Sequence, residues 1–207
     1  MRPTWWFTDI SALTADRLVE LGIAAAIWDV DGTLMSYHAE EVDPRFHAQI
    51  RALFRDSRVR HAILSNCGEE RFLLLGRLFP EIPVMRGYRR RNGETVFRIL
   101  HGGNDSLSGV AALLADGAQP IRKPDGELVR RAMAALGVEE PARVVMIGDQ
   151  YMTDVASANL AGARSIKVDT FRRDSFPLPV KLSQSLERML YAIFHGRSDP
   201  DRERTAS

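Results

Sequence analysis

The sequence lacks several features that would assign it to a specialised class of protein. It contains a single cysteine, Cys67, so an intrachain disulfide is excluded and a reducing compartment is expected. No apolar run approaches the roughly 20 residues of a membrane-spanning helix. Residues 1–4 are not followed by the apolar segment that is typical of a signal peptide. The 28 basic and 27 acidic residues nearly cancel, which argues against a dedicated nucleic-acid-binding protein. We therefore expect a protein of the cytoplasm.

What the sequence does contain is typical of one globular domain. Of its 207 residues, 45% are hydrophobic and 27% are charged, which is enough for a substantial core, and we find no internal repeat. Strand-like and helix-like segments alternate along the chain, which predicts an α/β fold with a parallel sheet. We predict a single domain over residues 1–195. Residues 196–207 are polar and unpatterned, which indicates a disordered tail.

Apolar runs and helix boundary signals predict the individual elements. Strands are expected over residues 23–28, 59–64, 143–147 and 165–168. Helices are expected over residues 11–21, 44–54, 68–79, 124–136, 152–161 and 180–194.

Two carboxylates follow the first predicted strand, in the segment Asp29-Val30-Asp31-Gly32. Residues 23–28 form the unbroken apolar run of a strand buried on both faces. Side chains two positions apart on a strand share a face and lie about 6–7 Å apart. Such a pair can divide the work, since one carboxylate can attack an electrophile or bind a metal while the other moves a proton. The alternative is a strand capped by solvated acids.

Polar groups also follow the later predicted strands. Ser65 and Asn66 follow residues 59–64 and could bind an anionic oxygen, and Lys123 stands just before a predicted helix. Residues 148–154 (Gly-Asp-Gln-Tyr-Met-Thr-Asp) end the third apolar strand with further acids. Each piece alone is also a common helix start, turn or loop. Because ligands bind at the carboxyl edge of open α/β sheets, their repetition there predicts one shared site.

In their order and spacing, these segments resemble the four motifs of the haloacid-dehalogenase-like (HAD) phosphatases. The matching residues are Asp29-Val30-Asp31-Gly32-Thr33, Ser65-Asn66, Lys123-Pro124 and Gly148-Asp149 with Thr153-Asp154. The resemblance implies a Rossmann-like parallel sheet with helices on both faces. It also implies a nucleophile, Asp29, and a general acid and base, Asp31. The implied phosphate binders are Thr33, Ser65, Asn66 and Lys123; the implied Mg²⁺ ligands are Asp29, Asp31 and Asp149, with Asp154 in the outer shell.

The chemistry of phosphate esters favours the same roles. A phosphate ester is an anion that repels nucleophiles, so Mg²⁺ and the Lys123 ammonium would have to gather it against an attacking carboxylate. Mg²⁺ prefers oxygen ligands and few carboxylates, which fits Asp29, Asp149 and the main-chain carbonyl of Asp31. We therefore expect an Mg²⁺-dependent phosphomonoester hydrolase that acts through an aspartyl-phosphate at Asp29.

A finer resemblance is to HAD subfamily III, in the branch of the mitochondrial-type phosphatidylglycerophosphatases. It is carried by Thr8-Asp9-Ile10 and by Gln150 within residues 148–154. The sequence departs from this branch at Gly32 and Cys67, where members often have asparagine, and in a longer segment between Ser65 and Lys123. The resemblance implies phosphatidylglycerophosphate as substrate. The alternative is a soluble-metabolite or nucleotide phosphatase.

That longer segment is predicted to be a small insert at about residues 81–118. Asn92-Gly93 lies between strand-like runs and is a hairpin turn signal, so a small β-hairpin is expected within residues 84–99. A short helix is expected within residues 106–115. Neither this insert nor the short segment between Asp31 and Ser65 leaves room for a large cap domain.

The expected partner is a phosphorylated small molecule or a lipid headgroup, and the oligomeric state is left open. Residues 5–7 (Trp-Trp-Phe) and 88–91 (Tyr-Arg-Arg-Arg) suggest peripheral contact with the inner face of a membrane. Alternatively, the aromatic residues pack on the sheet edge and the arginines are solvated. A phospho-Asp signalling receiver or an inactive scaffold is the non-enzyme alternative. A receiver should have adjacent acids on its first strand, and a scaffold should have lost a motif residue.

Overall fold

A nine-stranded, mostly parallel sheet forms the centre of the computed structural model, which describes residues 2–195. The strands are β1 (Trp5–Phe7), β2 (Ala25–Trp28), β3 (Arg60–Leu64), β4 (Val84–Arg89), β5 (Thr95–His101), β6 (Asn104–Asp105), β7 (Gln119–Ile121), β8 (Val144–Gly148) and β9 (Arg164–Val168). Their order is β1-β9-β8-β2-β3-β4-β5-β6, with β7 paired to β4. In this spatial order, all neighbouring strands from β1 through β9, β8, β2 and β3 to β4 are parallel. The pairs that involve β5, β6 or β7 are antiparallel.

Helices cover both faces of this sheet. They are α1 (Ala15–Glu20), α2 (Pro44–Arg55), α3 (Glu69–Leu78), α4 (Val110–Ala115), α5 (Gly126–Ala135), α6 (Ala156–Ala161) and α7 (Leu178–His195). Side chains of β2 alternate between two apolar clusters: Trp28 packs in the cluster of α1, α2 and α3, and Ile27 in that of α5 and α6. This arrangement confirms the predicted α/β fold and explains why β2 is apolar at every position.

Two predicted helices differ from those in the structure. The helix predicted over residues 11–21 is divided into a 3₁₀ turn, Ile10–Ala12, and α1, because the Thr14 hydroxyl accepts the Arg17 N–H and begins a new helix. The helix predicted over residues 152–161 opens with a π-helical turn, Tyr151–Val155, before α6. In that turn the Asp154 carboxylate accepts the Gln150 N–H at 3.0 Å. The other four predicted helices agree with the structure to within two residues at each end. They are 44–54 (α2), 68–79 (α3), 124–136 (α5) and 180–194 (α7).

The predicted hairpin is present and belongs to the main sheet. β4 and β5 pair antiparallel around a turn at Gly93, whose φ of +85° suits glycine. β4 also pairs parallel with β3, through Ile63 with Val84 and Leu64 with Met85, so the hairpin extends the sheet. The predicted helix of this segment is α4. The division into one domain over residues 1–195 stays a prediction, and the predicted tail, residues 196–207, lies outside the described residues.

The two segments suggested for membrane contact both begin in the sheet, and Arg90 and Arg91 lie exposed in the turn after β4. Trp5–Phe7 is edge strand β1, paired with β9, and Tyr88 is fully buried within β4. Arg89 pairs with Asp125 at 2.9 Å and with Glu127 at 3.2 Å. Within residues 2–195, none of the helices combines the length and apolar character needed to cross a bilayer.

Candidate active site

The four predicted groups of polar residues meet at one edge of the sheet. Asp29, Ser65 and Asp149 each follow the last residue of a strand, β2, β3 and β8, and these three strands are parallel neighbours. Lys123 follows β7 by two positions. A cleft of about 210 Å³ opens at this edge. It is lined by Asp29, Asp31, Tyr37, His38, Ser65, Asn66, Cys67, Lys123, Gln150, Thr153, Phe176 and Val180.

Lys123 lies at the centre of this group and is buried. Its Nζ donates to Asp29 Oδ1 at 2.7 Å and to Asp154 Oδ1 at 2.6 Å. The side chain of Asn66 holds the Lys123 backbone, since its Nδ2 donates to the Lys123 carbonyl at 3.0 Å and its Oδ1 accepts the Lys123 N–H at 2.8 Å. Asn66 therefore fixes the residue that supplies the cation of the site, a contact that the sequence did not reveal.

Three buried carboxylates surround that cation. Oxygen atoms of Asp29, Asp149 and Asp154 lie within 4.8 Å of one another. Burial raises the pKa of Asp29 to about 8; Asp154 and Asp149 act in the same direction, and Lys123 acts against them. Burial also raises the pKa of Asp149 to about 7, with a further contribution from Asp154. Both carboxylates are therefore costly to ionise where they lie, and a further cation would favour their ionised form.

The donor set fits a magnesium ion. Asp149 Oδ1 is buried and accepts no hydrogen bond. A buried oxygen without a partner costs free energy, which coordination to a cation would recover. Oxygen atoms of carboxylates and neutral groups are the ligands that Mg²⁺ prefers. Asp29 and Asp149, the predicted ligands, would hold such an ion. Asp154, predicted for the outer shell, belongs to the same cluster.

Gly32 allows this cluster to approach the loop after β2. Its φ is +86°, and a Cβ there would lie 2.9 Å from Asp149 Oδ2 and 2.7 Å from the Phe176 ring. Any larger residue would therefore have to displace Asp149 or Phe176. The same loop buries Thr33, while Ser65 lines the cleft.

Helix α7 adds a residue that no motif revealed. Gln184 is buried, and its Nε2 donates to Asp149 Oδ2 at 3.2 Å. Glu187, one turn further on, accepts the Tyr151 N–H at 3.1 Å. These two contacts fasten α7 to the loop after β8. A helix-period pattern predicted α7, but only the folded chain shows that it reaches Asp149.

The side chain of Asp31 lies apart from the three clustered carboxylates. Its Oδ1 accepts hydrogen bonds from Arg71 Nη2 at 2.7 Å and from the His38 N–H at 3.0 Å. The predicted roles of the site residues in binding and catalysis stay predictions, because the geometry shows where they lie and which of them touch.

Comparison with known proteins identifies related sequences and folds. Residues 120–174 match the sequence model of the HAD-hydrolase-like family. A phosphoserine phosphatase of Thermus thermophilus is 34% identical over 110 residues, which cover 48% of this chain and 44% of that protein. The chain thus spans less than half the length of this relative.

Two solved structures are also similar. One crystal structure is 12% identical with a TM-score of 0.51, over 83% of this chain and 84% of that chain, and this likeness concerns the fold alone. A HAD-superfamily hydrolase of subfamily IA from Geobacter sulfurreducens is 15% identical with a TM-score of 0.39, over 70% of this chain and 89% of that chain. The family match over residues 120–174, the Thermus relative and the α/β architecture all support a likeness of this chain to the HAD-like hydrolases.

Proposed function

We propose that the protein is an Mg²⁺-dependent phosphomonoesterase that acts through a phosphoryl group on Asp29. The observation that carries the proposal is the buried group in which Lys123 bridges Asp29 and Asp154 beside Asp149. A carboxylate held against a lysine can attack phosphorus, and the lysine then offsets charge on the phosphoryl oxygens. A bound magnesium ion would supply Lewis-acid stabilisation of the same oxygens.

The reaction balances with the residues of this chain. The Asp29 carboxylate forms an O–P bond while the ester O–P bond breaks, and Asp31 gives its proton to the leaving oxygen. Asp31 then takes a proton from water, whose oxygen attacks the same phosphorus. Inorganic phosphate leaves, and the Asp29 carboxylate and the protonated Asp31 are regenerated.

A phosphate monoester of a lipid is one proposed substrate class, and an apolar surface of α7 favours it. Phe176 and Val180 line the cleft, and α7 continues from there. Its outer face carries large apolar side chains that are 52% to 73% exposed: Leu178, Leu182, Leu186, Met189 and Ile193. Such a stripe could rest on a membrane surface beside the cleft. Phosphatidylglycerophosphate is the lipid that the sequence motifs suggest.

A soluble phosphomonoester is the other proposed class. The Thermus relative is named for phosphoserine, and a small phosphorylated metabolite is compatible with a cleft of about 210 Å³. A nucleotide belongs to the same class of soluble substrate. The chemistry at Asp29 would be the same. Only the group that carries the phosphate would differ.

Hydrolysis assays on purified protein test both the phosphomonoesterase activity and the substrate class. Phosphate release from p-nitrophenyl phosphate, phosphoserine, a nucleotide and phosphatidylglycerophosphate in anionic vesicles should require Mg²⁺. A phosphoenzyme that forms without turnover would favour a receiver, and no reaction with any ester would remove the proposal.

Two variants separate the substrate classes. Leu182→Ser with Leu186→Ser should slow hydrolysis in vesicles and leave p-nitrophenyl phosphate unaffected. Leu160→Ser is the matched control, because Leu160 is 62% exposed but lies on α6. If the double variant and the control behave alike in vesicles, the lipid assignment is wrong and the hydrolase proposal stands.

A further inference from the structure

A buried arginine on α3 holds the carboxylate of Asp31. Arg71 lies in the first turn of α3, and its side chain is 7% exposed. Its Nη2 donates to Asp31 Oδ1 at 2.7 Å, and its Nη1 donates to the Ala39 carbonyl. One guanidinium group therefore joins α3, the loop after β2 and the turn at residues 37–39.

The turn itself adds a second donor to the same oxygen. His38 has a φ of +55°, in the left-handed region that non-glycine residues rarely adopt, and its N–H points at Asp31 Oδ1 at 3.0 Å. Arg71 supports this turn through Ala39. Both donors to Asp31 thus converge on Oδ1, and among residues 2–195 no donor contacts Oδ2.

Burying this arginine has a cost that must be compensated elsewhere. Its Nε is buried without a hydrogen-bond partner, so the guanidinium is only partly satisfied. An arginine–carboxylate pair adds little net stability when both groups are desolvated, but the planar fork of Arg71 spans Asp31 Oδ1 and the Ala39 carbonyl and so fixes that oxygen relative to the turn. The contact is therefore better suited to placing Asp31 than to stabilising the fold.

We propose that Arg71 is a positioning residue, which binds Asp31 Oδ1 so that Oδ2 is presented to the proton in transit. The inference rests on the proposed phosphomonoesterase activity. In the first step the proton passes from Oδ2 to the leaving oxygen as the ester O–P bond breaks. In the second step Oδ2 receives a proton from water. Arg71 does not line the cleft, so it would act through Asp31.

Leaving groups of different basicity separate positioning from a structural role. A nitrophenolate leaves without a proton, whereas an alkoxide requires one. The value of kcat/KM covers the steps up to phosphoenzyme formation, so it reports proton donation to the leaving group and excludes the later attack by water. The test compares kcat/KM for p-nitrophenyl phosphate with kcat/KM for an alkyl phosphate.

Arg71→Met removes the charge and the donors but keeps the length of the side chain. It should lower kcat/KM for the alkyl ester at least about tenfold more than for the nitrophenyl ester, since general acid catalysis contributes roughly 10²–10⁴-fold. Arg71→Lys should restore part of the difference, and it also serves if Arg71→Met fails to fold. Arg77→Met is the matched control, because Arg77 is exposed in the last turn of α3.

The outcomes distinguish this inference from the function on which it rests. If Arg71→Met lowers kcat/KM for both esters by the same factor, or leaves both values as in the wild type, the positioning role is wrong. It is also wrong if Arg77→Met shows the same change in selectivity. If the wild-type protein with Mg²⁺ hydrolyses neither ester, the proposed function itself fails.

Discussion

Lys123 Nζ donates a hydrogen bond to Asp29 Oδ1 at 2.7 Å across 94 positions of sequence. Asn66 fastens the backbone of Lys123, and β2 ends directly before Asp29, so both partners are fixed by the fold. A phosphoryl group would therefore meet charges that are already in place. Such preorganisation contributes to catalysis because the protein does not have to reorient during the reaction.

Gly148→Ala should disturb the site through Asp154. A Cβ on Gly148 would overlap the Asp154 carboxylate, which binds Lys123 and the Gln150 N–H. We expect a loss of roughly 1–3 kcal/mol in the free energy of unfolding, together with a loss of phosphatase activity. Urea unfolding and phosphate release measure the two effects.

Gly68→Ala is the control for that variant. A Cβ on Gly68 would meet no atom within 4 Å, and the residue has a φ of −79°, which alanine adopts readily. Because Gly68 is the N-cap of α3, where alanine is less favourable than glycine, the free energy of unfolding should fall by up to about 1 kcal/mol, while phosphatase activity should be retained. Equal losses of stability and activity in Gly148→Ala and Gly68→Ala would show that contact with Asp154 is not the cause of these losses.

Mg²⁺ should raise the midpoint of thermal unfolding at constant ionic strength. The buried carboxylates of Asp29, Asp149 and Asp154 repel one another, and an ion that binds only the folded state stabilises it. Asp149→Asn removes one of these charges, so its midpoint without Mg²⁺ should rise and its response to Mg²⁺ should shrink. Calorimetry with and without the ion provides the comparison, and it requires no substrate.

Asp116→Asn is the matched control for the metal measurement, since Asp116 is exposed at the end of α4. It should respond to Mg²⁺ as the wild type does. A wild-type unfolding midpoint that does not change with Mg²⁺ would contradict the assignment of the metal site. So would a shift of the midpoint with Mg²⁺ in Asp149→Asn that equals the wild-type shift.

His61 should make stability fall in mildly acidic solution. Burial lowers the pKa of His61 to about 4, and its Nδ1 accepts the Trp28 Nε1–H at 3.1 Å. The unfolded chain takes up this proton below a pKa of about 6.5, so the contribution of His61 is complete above that pH. This contribution to the free energy of unfolding is lost as the pH falls to about 4, and it totals on the order of 3 kcal/mol.

His61→Asn isolates this effect, because Asn offers an acceptor to Trp28 but does not titrate. Urea unfolding of both proteins at about pH 7 and about pH 5 gives the difference in free energy, in which the titration of the carboxylates cancels. The wild type should lose more stability than the variant between these two conditions. Parallel losses would show that His61 is not the titrating group.

The sequence predicted those parts of the fold that local patterns determine. The apolar runs of β2, β3 and β8 are typical of strands covered on both faces, and Asn92-Gly93 indicated the hairpin of β4 and β5. Because parallel strands present their carboxyl ends at one edge, the polar residues that follow them could be grouped before any contact was known.

Contacts between distant helices and loops could not be predicted in this way. Arg71 reaches Asp31 across 40 positions, and Gln184 reaches Asp149 across 35, and neither pair has a local pattern. The break at Thr14 was missed because a helix period continued through it, while the hydroxyl cap decided the start of α1. Residues 88–91 resembled a surface tip, and Arg89, Arg90 and Arg91 are exposed as expected, but strand pairing buries Tyr88.

Trapping of the phosphoenzyme tests the central claim most directly. Asp31→Asn should still be phosphorylated by p-nitrophenyl phosphate, whose leaving group needs no proton, but should lack the base that activates water. Rapid quenching and intact mass analysis should therefore find one phosphoryl group, and peptide mapping after borohydride reduction should locate it at Asp29. The combined variant Asp29→Asn, Asp31→Asn should remain unmodified. A phosphoryl group on any other residue, or rapid hydrolysis by Asp29→Asn alone, would contradict the mechanism.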